Sequence, residues 1–181
     1  MPIRHVRVAV LVVFALSVGA FGSHRSARAY ELLGGQWPGI SSLGFCISTS
    51  YSGSDAAWDT GLYYWDYLSS EFGYHTSCNG NKVSLLDANY SQVSWDGLAE
   101  LIPSPVSNPY TGAAAYLNYH HTQNYTTTKI ASVAGHELGH IFGLAHESGC
   151  VLMNAATSVR YTSCGVWYAT SDDRDGVSYI Y

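Results

Sequence analysis

The stretch HELGHIFGLAH, His136 to His146, dictates more about the fold than any other part of the chain. His136 and His140 are four residues apart, so on a helix both imidazoles leave one face, one above the other. Two nitrogens so placed can meet a single ion at about 2.0–2.1 Å each. Glu137 stands one position off that line, which suits a base acting on water better than a ligand. Gly143 follows His140 by three residues. A glycine there can take the left-handed conformation that ends a helix and reverses the backbone. That reversal would bring His146 under the same ion. Three neutral imidazoles then leave an open position for water, the arrangement of a catalytic zinc.

The flanks suit this reading. Thr126 to Thr128 offer a cap, and Ile130, Val133, Ala134, Leu138, Ile141 and Phe142 supply a helical apolar rhythm. Upstream, LGFCIST (Leu43 to Thr49) reads as a strand. Trp58, Leu62, Trp65 and Leu68 recur at helical spacing, predicting a helix begun by Ser54 or Asp55 and closed before Gly73. Lys82 to Asp87 and Tyr90 to Trp95 are candidate short strands, as is Ala113 to His121. AELIPSPVSNPYTG holds three of the five prolines and is expected to be a loop. A last helix is expected in SDDRDGVSYIY, with Ser171 as N-cap and Asp172 and Asp173 in its first turn. Interspersed strands and helices predict one α+β domain.

The chain opens with Arg4 and Arg7, an apolar run from Val8 to Phe21, and small residues at Ala27 and Ala29. This is the pattern of a secretory signal peptide over residues 1–29. The run falls short of the roughly 20 apolar residues that span a bilayer, so no stable membrane insertion is expected after cleavage. A single domain over residues 30–181 would keep four basic residues against thirteen acidic ones, a formal charge near −9. That balance disfavours phosphate backbones, and nucleic acid is not an expected partner. Export makes disulfides the default for Cys46, Cys78, Cys150 and Cys164. Four cysteines allow three pairings; shorter loops favour Cys46–Cys78 and Cys150–Cys164. No C-x-x-C spacing supports a cysteine zinc site.

H-E-x-x-H-x-x-G-x-x-H resembles the signature of the metzincin zinc endopeptidases, and the chain is most similar to their matrixin-like secreted bacterial members. SDDRDGVSYIY resembles the matrixin opening of the last helix, AAWDTGLYYW the first helix, and AAAYLNYHH the region before the active-site helix. The resemblance implies a metzincin-like zincin fold: a twisted mixed β-sheet with an antiparallel edge strand, a cleft under that edge, and a small C-terminal subdomain after Gly143. It implies His136, His140 and His146 as ligands of one catalytic zinc, Glu137 as catalytic base, and Met153 as the methionine of the turn beneath the metal. Polypeptides would be the substrates.

The chain departs from the family pattern in places. No segment with a zinc-blocking cysteine lies between the leader and the first expected strand, so latency by that route is not expected. The loops that build structural calcium and second zinc sites have no clear counterpart; Asp87, Asp96, His120 and His121 are the loose candidates, and structural calcium stays open. An extended peptide is expected along an edge strand, with Tyr116, Leu117, Asn118 and Tyr119 as its rim and Ala155 to Tyr161 lining the pocket for the residue after the cut bond. Nothing marks a dimerisation stripe, so a monomer is the default. The alternatives are a secreted zinc-binding or adhesion module without turnover, and a zinc hydrolase acting on a non-protein amide.

Overall fold

The computed structural model describes residues 30–68, 74–80, 82–104 and 107–181; the expected signal peptide and the expected helix stop at Gly73 lie outside them. Five strands form one sheet: β1 (Leu43–Ser48), β2 (Tyr74–Thr76), β3 (Val83–Ala88), β4 (Gly97–Ile102) and β5 (Gly112–Asn118). Their spatial order is β2-β1-β3-β5-β4. The first four are mutually parallel, and β4 runs antiparallel to β5 at the edge. Two long helices, α1 (Ser52–Leu68) and α3 (Thr127–Ile141), pack on each other, and α3 also packs on β4 and β5. A short α2 (Tyr119–Thr122) precedes α3, and α4 (Ser171–Ile180) follows the active helix after a π-helical turn at Ser158–Ser163.

The core explains this arrangement. Phe45, Val83, Leu85, Ala113, Ala115 and Leu117 alternate along the central strands and are buried, while Trp58, Leu62 and Trp65 on α1 meet Val133, Leu138 and Phe142 on the other side. Burying a large apolar side chain is worth about 1.5–3 kcal/mol, so the stripes decide which faces meet. Each core tryptophan also has its N–H satisfied: Trp58 donates to Leu86 O at 3.1 Å and Trp65 to Gly135 O at 3.0 Å. Their polar tips therefore cost little when buried.

Several elements differ from expectation. Tyr90 to Trp95 is not a strand. Buried Asn118 replaces the ladder there: its Oδ1 accepts from Tyr90 N at 3.0 Å, and its Nδ2 donates to the carbonyls of Tyr90 and Trp95. Ala99 to Ile102, read as the start of a proline-rich loop, belong to β4 instead. Gly97, Ala99 and Leu101 face inward in alternation with outward Leu98, Glu100 and Ile102, and the prolines start only at Pro103. The three-residue β2 has no signal in its own sequence; its register against β1 comes from pairing. Helix α1 begins at Ser52, since Gly53 is tolerated in its first turn. Ser171 is not the N-cap of α4; Thr170 is, through a capping box with Asp173.

Both disulfides are formed. Cys46–Cys78 ties β1 to the segment after β2, and Cys150–Cys164 closes the loop that carries the π-helical turn. After Gly143 the chain makes a smaller C-terminal unit with one long helix, α4. Asp173 binds that unit together. Its carboxylate accepts from Thr170 N and Oγ1 at the head of α4, and from Leu152 N and Met153 N, each at 3.0 Å, in the turn below α3.

Candidate metal centre

Helix α3 starts where Thr126 Oγ1 accepts from Lys129 N at 3.3 Å. It ends at Gly143, whose φ of 100° is the left-handed turn that a side chain would resist. The returning chain is then pinned. Leu33 N donates to Gly143 O at 2.8 Å, Ala145 N donates to Glu31 O at 2.9 Å, and Leu144 bridges Leu32. With its backbone held one residue away, His146 swings back towards the helix.

The result is a cluster. One potential ligand atom from each of His136, His140 and His146 lies within 4.8 Å of the others. His140 Nε2 and His146 Nε2 are 3.1 Å apart, close to the roughly 3.3 Å that two nitrogens of a tetrahedral zinc site must keep. His136 Nδ1 lies 2.8 Å from Leu152 O and His140 Nδ1 lies 2.8 Å from Leu144 O. A carbonyl only accepts, so each Nδ1 carries the proton and each Nε2 offers its lone pair to the centre. Backbone partners of this kind orient metal-binding imidazoles.

The electrostatics keep these rings neutral. Burial holds the His136 imidazole well below its ordinary value, with Arg160 and His140 adding to it. Burial brings His140 down to about 4, and burial with Arg160 lowers His146. Donor type, spacing and protonation all fit a zinc ion.

Glu137 sits beside the cluster, 5 % exposed. Burial pushes its carboxyl up to about 8; Asp96 adds to the rise while Arg160 opposes it. Strand β4 comes so close that a Cβ on Gly97 would collide with Glu137 Oε1 and with Val133. On the other side of α3, a Cβ on Gly139 would strike Met153 Sδ. Buried Met153 therefore packs directly beneath the helix turn between the two histidines.

His136, His140, His146, Glu137 and Gly97 line one cleft of about 590 Å³, within the range of ligand-binding pockets. Ser94 to Ala99 and Leu101 form one wall; Ala155, Ala156, Thr157 and Arg160 form the other. The expected rim at Tyr116 to Tyr119 is corrected here. Strand β5 is internal, Leu117 and Asn118 are fully buried, and the ring of Tyr119 stacks on Tyr51. The sheet edge at the cleft is β4.

The loose metal candidates are spread apart. Asp87 accepts from the backbone N–H groups of Ser50 and Tyr51, Asp96 accepts from Tyr125 OH, and His121 Nε2 meets Val93 O at 2.8 Å. Among the described residues, His136, His140 and His146 form the one group of three or more such side chains close enough to share an ion. Arg160 was expected only as part of the Ala155 to Tyr161 pocket wall and Asp96 only as a loose metal candidate; Gly97 was not singled out from sequence. The alternation of GLAELI was the available signal for Gly97, and nothing local marks Arg160 off from Lys129 and Arg174, the other basic residues of the C-terminal half.

A family profile described as Matrixin matches residues 65–181. The chain belongs to the matrixin family. Matrixins are zinc metallopeptidases of the metzincin group, and the mixed sheet with its antiparallel edge strand over the active-site helix is their zincin-type α+β fold. Among solved structures, that of myroilysin is similar, with a TM-score of 0.43 at 14 % identity. The alignment covers 61 % of this chain and 52 % of that one, so the matrixin chain spans about half the length of its structural neighbour. No curated protein sequence matches it.

Proposed function

We propose that residues 30–181 are the catalytic domain of a secreted zinc endopeptidase that acts as a monomer. The observation that carries this reading is the convergence of His136, His140 and His146 beside buried Glu137 in one cleft. In this reading the three imidazoles hold zinc through the nitrogens turned towards the centre, with Leu152 O and Leu144 O fixing the rings of His136 and His140. Zinc, when bound, supplies a Lewis acid and a source of hydroxide near neutral pH.

The remaining steps belong to the protein. Glu137 takes the proton of the attacking water on a carboxylate oxygen and passes it to the nitrogen of the leaving amine. Its burial suits a proton carrier, because a carboxylate in a dry site binds a proton more readily than one in water. Strand β4 offers a backbone edge for an extended peptide, and the wall from Ala155 to Arg160 faces the residue after the cut bond. Two disulfides, and the lack of any described helix long and apolar enough to cross a membrane, are compatible with export.

Two variants test the assignment. Glu137→Gln should keep zinc yet lose at least about a hundredfold in peptide turnover. His140→Ala should lose both, as read by metal analysis after dialysis and by mass-spectrometric mapping of a peptide library. Undiminished turnover by Glu137→Gln would refute the base, and full zinc in His140→Ala would refute the ligand.

A further inference from the structure

Arg160 is a cation in an unusual place. It is 1 % exposed, yet it forms part of the cleft wall with Ala155, Ala156 and Thr157. Burial brings its guanidinium down to about 10, so it remains charged at neutral pH. Among the described residues its hydrogen bonds all go to neutral oxygens: Nε to Ser132 Oγ at 3.0 Å, Nη1 to Asn154 O, and Nη2 to Thr157 Oγ1 at 3.2 Å. These use three of the five N–H donors that a guanidinium carries.

Three carboxylates feel its charge, those of Glu137, Asp96 and Asp173, and each is engaged elsewhere. Asp173 accepts four hydrogen bonds from the head of α4 and the turn at Met153. Asp96 is bound to Tyr125 OH. Glu137 lies against β4 and has the proton-carrying role proposed above. A buried charge with no carboxylate bonded to it is costly to keep away from water. A brace between Asn154, Thr157 and Ser132 needs donors but no net charge. Ala155 and Ala156, small and exposed, share the cleft wall with Arg160.

We infer that Arg160 gives the cleft a preference for peptides with a carboxylate side chain, Asp or Glu, immediately after the cut bond. The inference rests on the endopeptidase reading and names its substrate class. The incoming carboxylate would complete the ion pair that the protein leaves open, through a charge-assisted bond to a guanidinium already held in place. Distant acidic residues oppose this little, because charges beyond about 8 Å are screened at physiological salt; Asp96 and Glu137, which line the same cleft, are the carboxylates it must outweigh.

The test uses peptides identical except for Glu, Gln or Leu after the cut bond. Glu and Gln differ in charge and hardly in shape. With zinc-loaded protein, kcat/KM for the Glu peptide should exceed that for the Gln peptide by about tenfold, as expected of one hydrogen bond to a charged group. The ratio is internal to each protein sample, so partial folding or metal loss cancels. Arg160→Met should bring it to about one, and Arg160→Lys should restore part of it. Affinities measured by calorimetry on Glu137→Gln protein, whose turnover is slowed at least about a hundredfold, should rank the peptides in the same order. Preference for Leu, or a Glu-to-Gln ratio near one in the unmutated protein by both measures, would overturn the inference and leave the endopeptidase reading standing. Absence of cleavage with the binding order intact would overturn the endopeptidase reading alone.

Discussion

At the residue scale, the cluster depends on contacts one step removed from the imidazoles. Leu152 O fixes His136, and Leu152 N is in turn held by Asp173. Asp173→Ala leaves buried N–H groups at Leu152 and Met153 without their acceptor. We expect a loss of roughly 3 kcal/mol in stability, since each hydrogen bond to a charged group is worth about 1.5–3 kcal/mol. Zinc affinity should fall by about tenfold, the lower end for loss of an orienting partner. Denaturant melts and chelator competition measure the two effects; unchanged zinc affinity would show that the turn holds its shape without Asp173. Spacing in the sequence was enough to place the histidines on one face and the reversal at Gly143. Asp173 was legible only as a first-turn acid, because its second pair of bonds reaches back twenty residues. Such a contact leaves no local pattern.

Elements repeat that contrast. Helix α3 was readable because capping, apolar rhythm and the glycine stop agree over one continuous stretch. Strand β4 was not, because it follows an irregular loop and runs straight into prolines. Its place at the sheet edge comes from pairing with β5, which no local signal reports. That misplacement also displaced the expected substrate rim onto buried Leu117 and Asn118. The close approach of β4 to α3 is itself testable. Gly97→Ala should push Glu137 from its position and lower kcat/KM by up to about a hundredfold, the cost of a displacement near 1 Å. Zinc content should stay the same, because the atoms nearest the added methyl belong to Glu137 and Val133. Loss of zinc in this variant would mean that β4 supports the whole cluster instead of the carboxylate alone. Removing Cys150–Cys164 by paired Cys→Ser changes should cost about 2–5 kcal/mol, seen as a lower midpoint in denaturant.

Over the whole molecule, tyrosines set an alkaline limit. Burial and Asp96 push Tyr125 up to about 12, and burial pushes Tyr181 up to about 12; Tyr110 and Tyr116 are also raised, mainly by burial. In the unfolded chain these phenols lose their protons near pH 10. Between pH 10 and 12 the folded protein therefore holds more protons than the unfolded one, and stability falls as pH rises. Arg160, brought down to about 10, and Tyr161, lowered by its hydrogen bonds to Thr126 and Thr128, act in the opposite sense, but two groups stand against four. Stability should be flat just below pH 10 and decline above it, with phenolate absorbance rising together with unfolding. A decline complete before pH 10 would point to other groups. Tyr181 joins the two halves of the molecule: its OH donates to Phe142 O and accepts from Trp37 N, both at 3.2 Å. The C-terminal unit is thereby fastened to the end of the metal-binding helix.

Zinc-edge X-ray absorption on the purified, dialysed protein tests the centre most directly. One zinc per chain, with a first shell of nitrogen and oxygen at about 2.0–2.1 Å and the scattering pattern of three imidazoles, is the predicted result. Sulfur scatterers near 2.3 Å, or no zinc retained after dialysis, would contradict it.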